Sequence, residues 1–371
     1  MQTTASDGRS DHVLNHSRSA GHFIIAQPRR DDILGHVSRP WSLTSCALIV
    51  LLALLVALTP GISLSTAQSN ATRTVRVLDA GGDAILVMPE ACAAGGCPLV
   101  VVSHRWGGTP EHALDRVGHP AYSAFLKRFT DAGFALLLSR DGGLETWGNT
   151  AALANASSVW TKARALYTFG DTFTLGFSMG GLPASLLGLT GRLPVRGTVT
   201  VAAQLSLLDA YTSPTLPARS LSVARAYKLD HHVGPNNAAL AAVFFGHDPV
   251  GDLRLITTAR TIRANPAWRR VPTLVVASRT DATVDFTANS AAFVALLSKL
   301  EPQTRLLEVS GGHLGADHFA PLVADTAITF FKGLGTHPGQ PEPKPFAAGK
   351  PRVNVQKPNA KASIPPAPKP R

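Results

Sequence analysis

Residues 172–189 read TFTLGFSMGGLPASLLGL, and the architecture of the chain turns on how they divide. TFTLGFS (172–178) is β-branched, aromatic and apolar, which is the make-up of a buried strand. The run from Met179 to Leu189 reads as a helix. At the junction, Gly176-Phe177-Ser178-Met179-Gly180 sets a serine between glycines. A strand that turns straight into a helix strains the serine backbone, and the glycines leave room for that turn. Ser178 then projects its hydroxyl above the carboxyl edge of a sheet. A simpler role for the same residue is helix N-cap.

Outward from this junction, strand-like and helix-like runs alternate. TVRVLDAG and DAILVMPE read as an antiparallel pair. PLVVVSH (98–104), FALLLSR, GTVTVAAQ (197–204), PTLVVASRTD (272–281) and TRLLEVSGGH (304–313) read as further strands. Helices are expected over AYSAFLKRFTDAG, Ser157 to Phe169, Asn289 to Leu300 and Phe319 to Leu334. This alternation predicts an α/β fold with a mostly parallel sheet and helices on both faces. Residues 205–271 break the rhythm and are expected to form a cap-like insertion. Within them, AALAAVFFGHDP (238–249) is apolar and helix-compatible, fit to line a cleft or to pack on the sheet.

A serine hydroxyl needs a base and an orienting acid, and on this architecture the chain order is serine, acid, histidine. Asp281 follows one predicted strand end and His313 follows the next, both where open α/β sheets gather their ligands. His313 Nε2 is placed to take the Ser178 proton, and Asp281 to hold Nδ1–H and stabilise the imidazolium. His318 is the rival base and Asp248 the rival acid. The negative oxygen of a tetrahedral intermediate needs two backbone donors. Met179 N–H is one. The loop His104-Arg105-Trp106-Gly107-Gly108 supplies the other, from Trp106 or Arg105. His104 precedes the serine, the wrong order for the base, and reads as a loop brace.

The segments SHRWGG, GFSMGG, ASRTDATVD and SGGHLG carry a resemblance to α/β-hydrolases of the esterase, lipase and dienelactone-hydrolase-like kind, over about Val75 to Leu334. The resemblance implies an α/β-hydrolase fold with a helical insertion before the acid-bearing strand. It also implies Ser178 as nucleophile, Asp281 as acid, His313 as base, and oxyanion donors on Met179 and the residue after a His-Gly pair. Arg105 stands where that pair usually has glycine. The implied activity is cleavage of carboxylic esters, small or polymeric, through an acyl-enzyme. Acyl transfer and amide cleavage run on the same triad, and a non-catalytic envelope-binding protein is the alternative outside enzymes. No metal or organic cofactor is implied.

Composition sets the remaining bounds. The chain has 371 residues, 45% hydrophobic and 16% charged, enough for a substantial core. Of its net charge of +11, residues 337–371 carry +6 and residues 1–67 only +1. The basic character is therefore largely a tail property without interleaved aromatics, which argues against nucleic acid. That tail, with ten prolines in 35 residues, reads as extended and disordered, able to attract an anionic envelope polymer or simply to solubilise. Residues 43–58, LTSCALIVLLALLVAL, are preceded by Arg29, Arg30 and Arg39 and followed by Ser65 and Ala67. This is the pattern of a secretory signal cleaved near Ala67 or, uncleaved, of a membrane anchor. The domain reading is therefore 1–67, leader; 68–336, catalytic domain; 337–371, tail. Export to the cell envelope or beyond makes a Cys92–Cys97 disulfide a reasonable pairing.

Overall fold

The structure, a computed structural model, describes residues 71–78, 84–229, 238–258 and 268–334. The expected leader, 1–67, and the Pro-rich tail, 337–371, lie outside the described residues. No helix among the described residues is long and apolar enough to cross a membrane.

Eight strands form one sheet: β1 (Thr72–Val77), β2 (Ala84–Pro89), β3 (Leu99–Ser103), β4 (Ala135–Ser139), β5 (Thr172–Phe177), β6 (Val195–Val201), β7 (Thr273–Ser278) and β8 (Arg305–Val309). Their order across the sheet is β1-β2-β4-β3-β5-β6-β7-β8. The β1–β2 and β2–β4 pairs are antiparallel and all others parallel. The nine helices described are α1 (Pro120–Asp131), α2 (Thr150–Leu166), α3 (Gly181–Leu189), α4 (Leu207–Thr212), α5 (Pro217–Tyr227), α6 (Ala238–Phe244), α7 (Pro249–Thr258), α8 (Ala292–Leu297) and α9 (Pro321–Gly333).

Every residue of β3 is buried, which is why its sequence is a continuous apolar run rather than an alternation. Its side chains still alternate between layers. Leu99 and Val101 join Leu153 and Val159 of α2 and Leu182 and Leu186 of α3. Val100 and Val102 join Phe125 and Phe129 of α1 and Ala327 and Phe331 of α9 on the opposite face. The strand period of two thus builds two apolar layers on one sheet.

Several boundaries depart from the sequence reading. Helix α2 starts at Thr150, seven residues before the expected Ser157. Asn149 caps it, its side chain accepting from Ala152 N at 3.0 Å. Its first turns are mostly alanine, which favours helix but leaves no apolar stripe to read. The helix expected from Asn289 opens instead with a π-turn at Thr287–Ala291 before α8.

Residues 205–271 carry α4 to α7. Leu240 and Phe244 of α6 are buried in the same cluster as Tyr211 of α4. Phe244 meets Tyr211 and Tyr227 edge-on, with ring centroids 5.9 and 5.2 Å apart. Of the two roles open to residues 238–249, these side chains take the packing role.

Candidate active site

Strand β5 ends at Phe177, and Ser178–Gly180 form a single 3₁₀ turn before α3 begins. Ser178 has φ of 50°, the left-handed region that costs a non-glycine residue free energy. Neighbouring contacts keep it there. A Cβ on Gly176 would strike Gly180 O and the side chain of Ala184, and one on Gly180 would strike the backbone oxygens of Ser103 and His104. The turn therefore sits directly against the end of β3, and only glycines allow that approach. Ser178 O accepts from Gln204 N at 2.9 Å, tying the turn to the exit of β6 as well.

Ser178 Oγ donates to His313 Nε2 at 2.9 Å, and His313 Nδ1–H donates to Asp281 Oδ2 at 2.7 Å. The three side chains come from the loops after β5, β8 and β7, all at carboxyl ends of parallel strands. The other Asp281 oxygen, Oδ1, accepts from Thr283 N at 2.8 Å and Val284 N at 3.0 Å. Thr280 Oγ1 donates to Gly311 O at 2.9 Å, fastening the aspartate loop to the histidine loop. Burial alone would raise the Asp281 pKa. The bonds from His313, Val284 and Thr283 together with the nearby imidazole outweigh it, and the carboxyl is held below its ordinary value.

The rivals fall elsewhere. His318 is fully buried, and neither ring nitrogen has a hydrogen-bond partner among the described residues. Burial lowers its pKa. Asp248 is a structural cap: Oδ1 accepts from Gly251 N and Oδ2 from Leu208 N, both at 3.1 Å. Burial raises its pKa.

The loop after β3 turns at Gly107, φ 67°, while Arg105 is not left-handed. Arg105 thus avoids the positive φ that would strain a non-glycine residue, and Gly107 makes the turn. Among the described residues, neither Arg105 N–H nor Trp106 N–H donates to another backbone or side-chain group. His104 does not face the serine. Its Nδ1 meets Arg105 O at 2.7 Å and its Nε2 meets Arg140 O at 2.9 Å. Both ring nitrogens thus face backbone carbonyls, which ties the loop after β3 to the end of β4. Asp141 is buried near it: burial raises its carboxyl pKa, and the His104 charge opposes that.

A polar network beside the triad was not read from the sequence. Asn289 Oδ1 accepts from Gln204 Nε2 at 2.9 Å, Leu205 N at 2.9 Å and Ser206 N at 2.8 Å. Asn289 Nδ2 donates to Asp209 Oδ2 at 3.0 Å, and Arg219 of α5 donates to Gln204 Oε1 at 3.1 Å. Partners separated by 15 to 85 residues leave no local spacing to find.

The strand order, the strained serine turn and the three side chains at the sheet's carboxyl edge define an α/β-hydrolase fold. No protein-family model matches the chain, and no curated protein matches it. Among solved structures, the bifunctional GH43-CE of Bacteroides eggerthii is 17% identical, with 71% of this chain and 35% of that one covered at a TM-score of 0.50. An esterase of Pyrococcus furiosus is 16% identical over 74% and 96% of the two chains, TM-score 0.48. The acylaminoacyl peptidase of Pyrococcus horikoshii is 14% identical over 71% and 41%, TM-score 0.49. At 17% identity the likeness to the Bacteroides chain is one of fold.

Proposed function

We propose that this protein is a serine hydrolase that cleaves carboxylic esters through an acyl-enzyme. The observation that carries the reading is the unbroken hydrogen-bond series Ser178 Oγ, His313 Nε2, His313 Nδ1, Asp281 Oδ2, set on a strained turn. In acylation, Ser178 Oγ attacks the ester carbonyl while its proton passes to His313 Nε2. Asp281 stabilises the imidazolium without taking its proton. The tetrahedral oxyanion is held by Met179 N–H and by Trp106 or Arg105 N–H, each such donor contributing roughly 3–4 kcal/mol. The imidazolium protonates the departing alcohol. Water then enters, gives its proton to His313 and releases the acid, restoring Ser178.

The insertion at 205–271 acts in this reading as one wall of the acyl pocket. Cys92 and Cys97, with Cα atoms 5.4 Å apart, are within disulfide span, which fits a protein exported to the cell envelope or beyond. Non-reducing mass spectrometry of protein recovered from the envelope tests that pairing.

Fluorophosphonate labelling followed by peptide mapping tests the central claim, with a profile over p-nitrophenyl esters of increasing chain length and Ser178→Ala as blank. Modification confined to Ser178, with ester turnover absent from the blank, is the expected result. A folded protein that neither labels nor hydrolyses any ester overturns it.

A further inference from the structure

We infer that Arg219, on α5 of the insertion, is a positioning residue that aims the Asp281 loop at His313. The inference rests on the reading of Ser178, His313 and Asp281 as a catalytic triad.

The Arg219 side chain is 5% exposed, so a guanidinium has been taken out of water. Such burial is costly unless its donors are satisfied. Nη1 donates to Thr283 O at 2.5 Å and to Gln204 Oε1 at 3.1 Å, and Nη2 lies 3.8 Å from Asp209 Oδ2. Nε finds no acceptor among the described residues. A partly satisfied buried cation is a poor means of stabilising a fold, whereas a well-packed apolar side chain would serve α5 as Val223 and Ala224 do. What the guanidinium achieves is directional.

Its two Nη1 partners lead to opposite ends of the triad. Thr283 is the residue whose N–H donates to Asp281 Oδ1 at 2.8 Å. Arg219 therefore grips the carbonyl of the residue whose amide grips the acid. Gln204 is the residue whose N–H holds Ser178 O at 2.9 Å. The orientation of its amide is fixed by its partners: Nε2 donates to Ser206 O at 2.7 Å and to Asn289 Oδ1 at 2.9 Å, which leaves Oε1 for Arg219. One buried nitrogen, Nη1, thus joins the acid loop to the anchor of the turn that carries Ser178. A lysine keeps the charge on a flexible stem but lacks the planar group that sets Nη2 3.8 Å from Asp209 Oδ2 while Nη1 holds both loops. Arg219 also lies near enough to Asp281 for the charges to attract. The same helix reaches the loop that carries Trp147: Ser222 Oγ donates to Glu145 Oε2 at 2.8 Å, and Trp147 lies at a tilt to Trp106 with ring centroids 5.9 Å apart.

The test compares Arg219→Lys, Arg219→Met and Arg219→Ala with the full chain. The readouts are ester kinetics per folded molecule, melting temperature, and the low-field proton resonance of the His313–Asp281 hydrogen bond. The expected result is a kcat fall of roughly 10- to 100-fold in the Met and Ala variants, with KM changed far less and the resonance lost or broadened. Arg219→Lys falls between these and wild type, and millimolar guanidinium restores part of kcat to Arg219→Ala. Arg219→Lys keeps the charge and serves as the folded variant if the other two do not fold. Folded variants that retain wild-type kcat and the resonance, losing only melting temperature, overturn the proposal. A wild-type protein that shows the resonance but neither labels with fluorophosphonate nor hydrolyses esters defeats the hydrolase reading instead, and the resonance still decides the role of Arg219.

Discussion

The amide of Gln204 donates to the carbonyl of Ser178 at 2.9 Å, so the exit of β6 fixes the turn that carries this serine. Ser178 holds φ of 50° because the backbone on either side is pinned, at Gln204 and at the end of β3. Strain kept in this way belongs to the fold and is already in place before any substrate arrives.

Replacing Ser178 separates strain from chemistry. Ser178→Ala is expected to lower kcat/KM by roughly 10⁴- to 10⁶-fold with little change in unfolding free energy. Ser178→Gly is equally inactive but more stable than Ser178→Ala by about 1 kcal/mol, since glycine tolerates the left-handed region. Ester assays and urea titration of the pair measure both effects.

Asp281→Asn tests the acid. The asparagine amide presents a donor to His313 or holds it in the wrong tautomer, and activity is expected to fall roughly 10²- to 10⁴-fold. Because the Asp281 pKa is depressed in the fold, its ionised form contributes stability above the unfolded pKa, and that contribution is lost as pH falls through the lower folded value. The variant should therefore lose less stability than wild type on acidification, as read by melting temperature across the acid range.

Gly180→Ala places a methyl group on the backbone oxygens of Ser103 and His104. Backbone on both sides cannot yield cheaply, so the variant is expected to lose more than about 2 kcal/mol and, with it, the seating of the turn. Denaturant midpoints and fluorophosphonate labelling rates report the two losses. Gly312→Ala, where an added Cβ meets nothing within 4 Å, is the tolerated control.

The insertion carries its own pH response. Burial, with the neighbouring Asp248 carboxylate adding to it, pushes the Asp252 pKa up to about 7 even though Gly246 N–H donates to it. A carboxyl that binds its proton more tightly when folded stabilises the fold at low pH. That contribution declines between the unfolded value near 3.8 and about 7, and is gone above it. Asp252→Asn retains an acceptor for Gly246 N–H and removes the charge. It is expected to raise the melting temperature at pH 8 and to leave it nearly unchanged at pH 4.

The meeting of Ser178, His313 and Asp281 was legible to the degree that it follows chain order. Ser178 announced itself by its glycines, and Asp281 and His313 by following successive strands. The sheet was legible because buried parallel strands are written as apolar runs. The start of α2 was not, because alanine turns carry no stripe; Asn149, a good cap residue two positions ahead of Ala151, was the available signal. Gln204, Asn289 and Arg219 gave no signal at all. A buried polar network is a property of the assembled core, and each member alone reads as an ordinary surface residue.

For protein engineering, the segment between β6 and β7 is not an exchangeable module. Grafting it from another scaffold, or trimming it to open the site to bulky polymers, would remove the guanidinium that joins Gln204 to Thr283. Libraries that recruit new substrates are better built on the outward positions of α4 and α5, such as Leu208 and Leu221, with Gln204, Arg219 and Asn289 held constant.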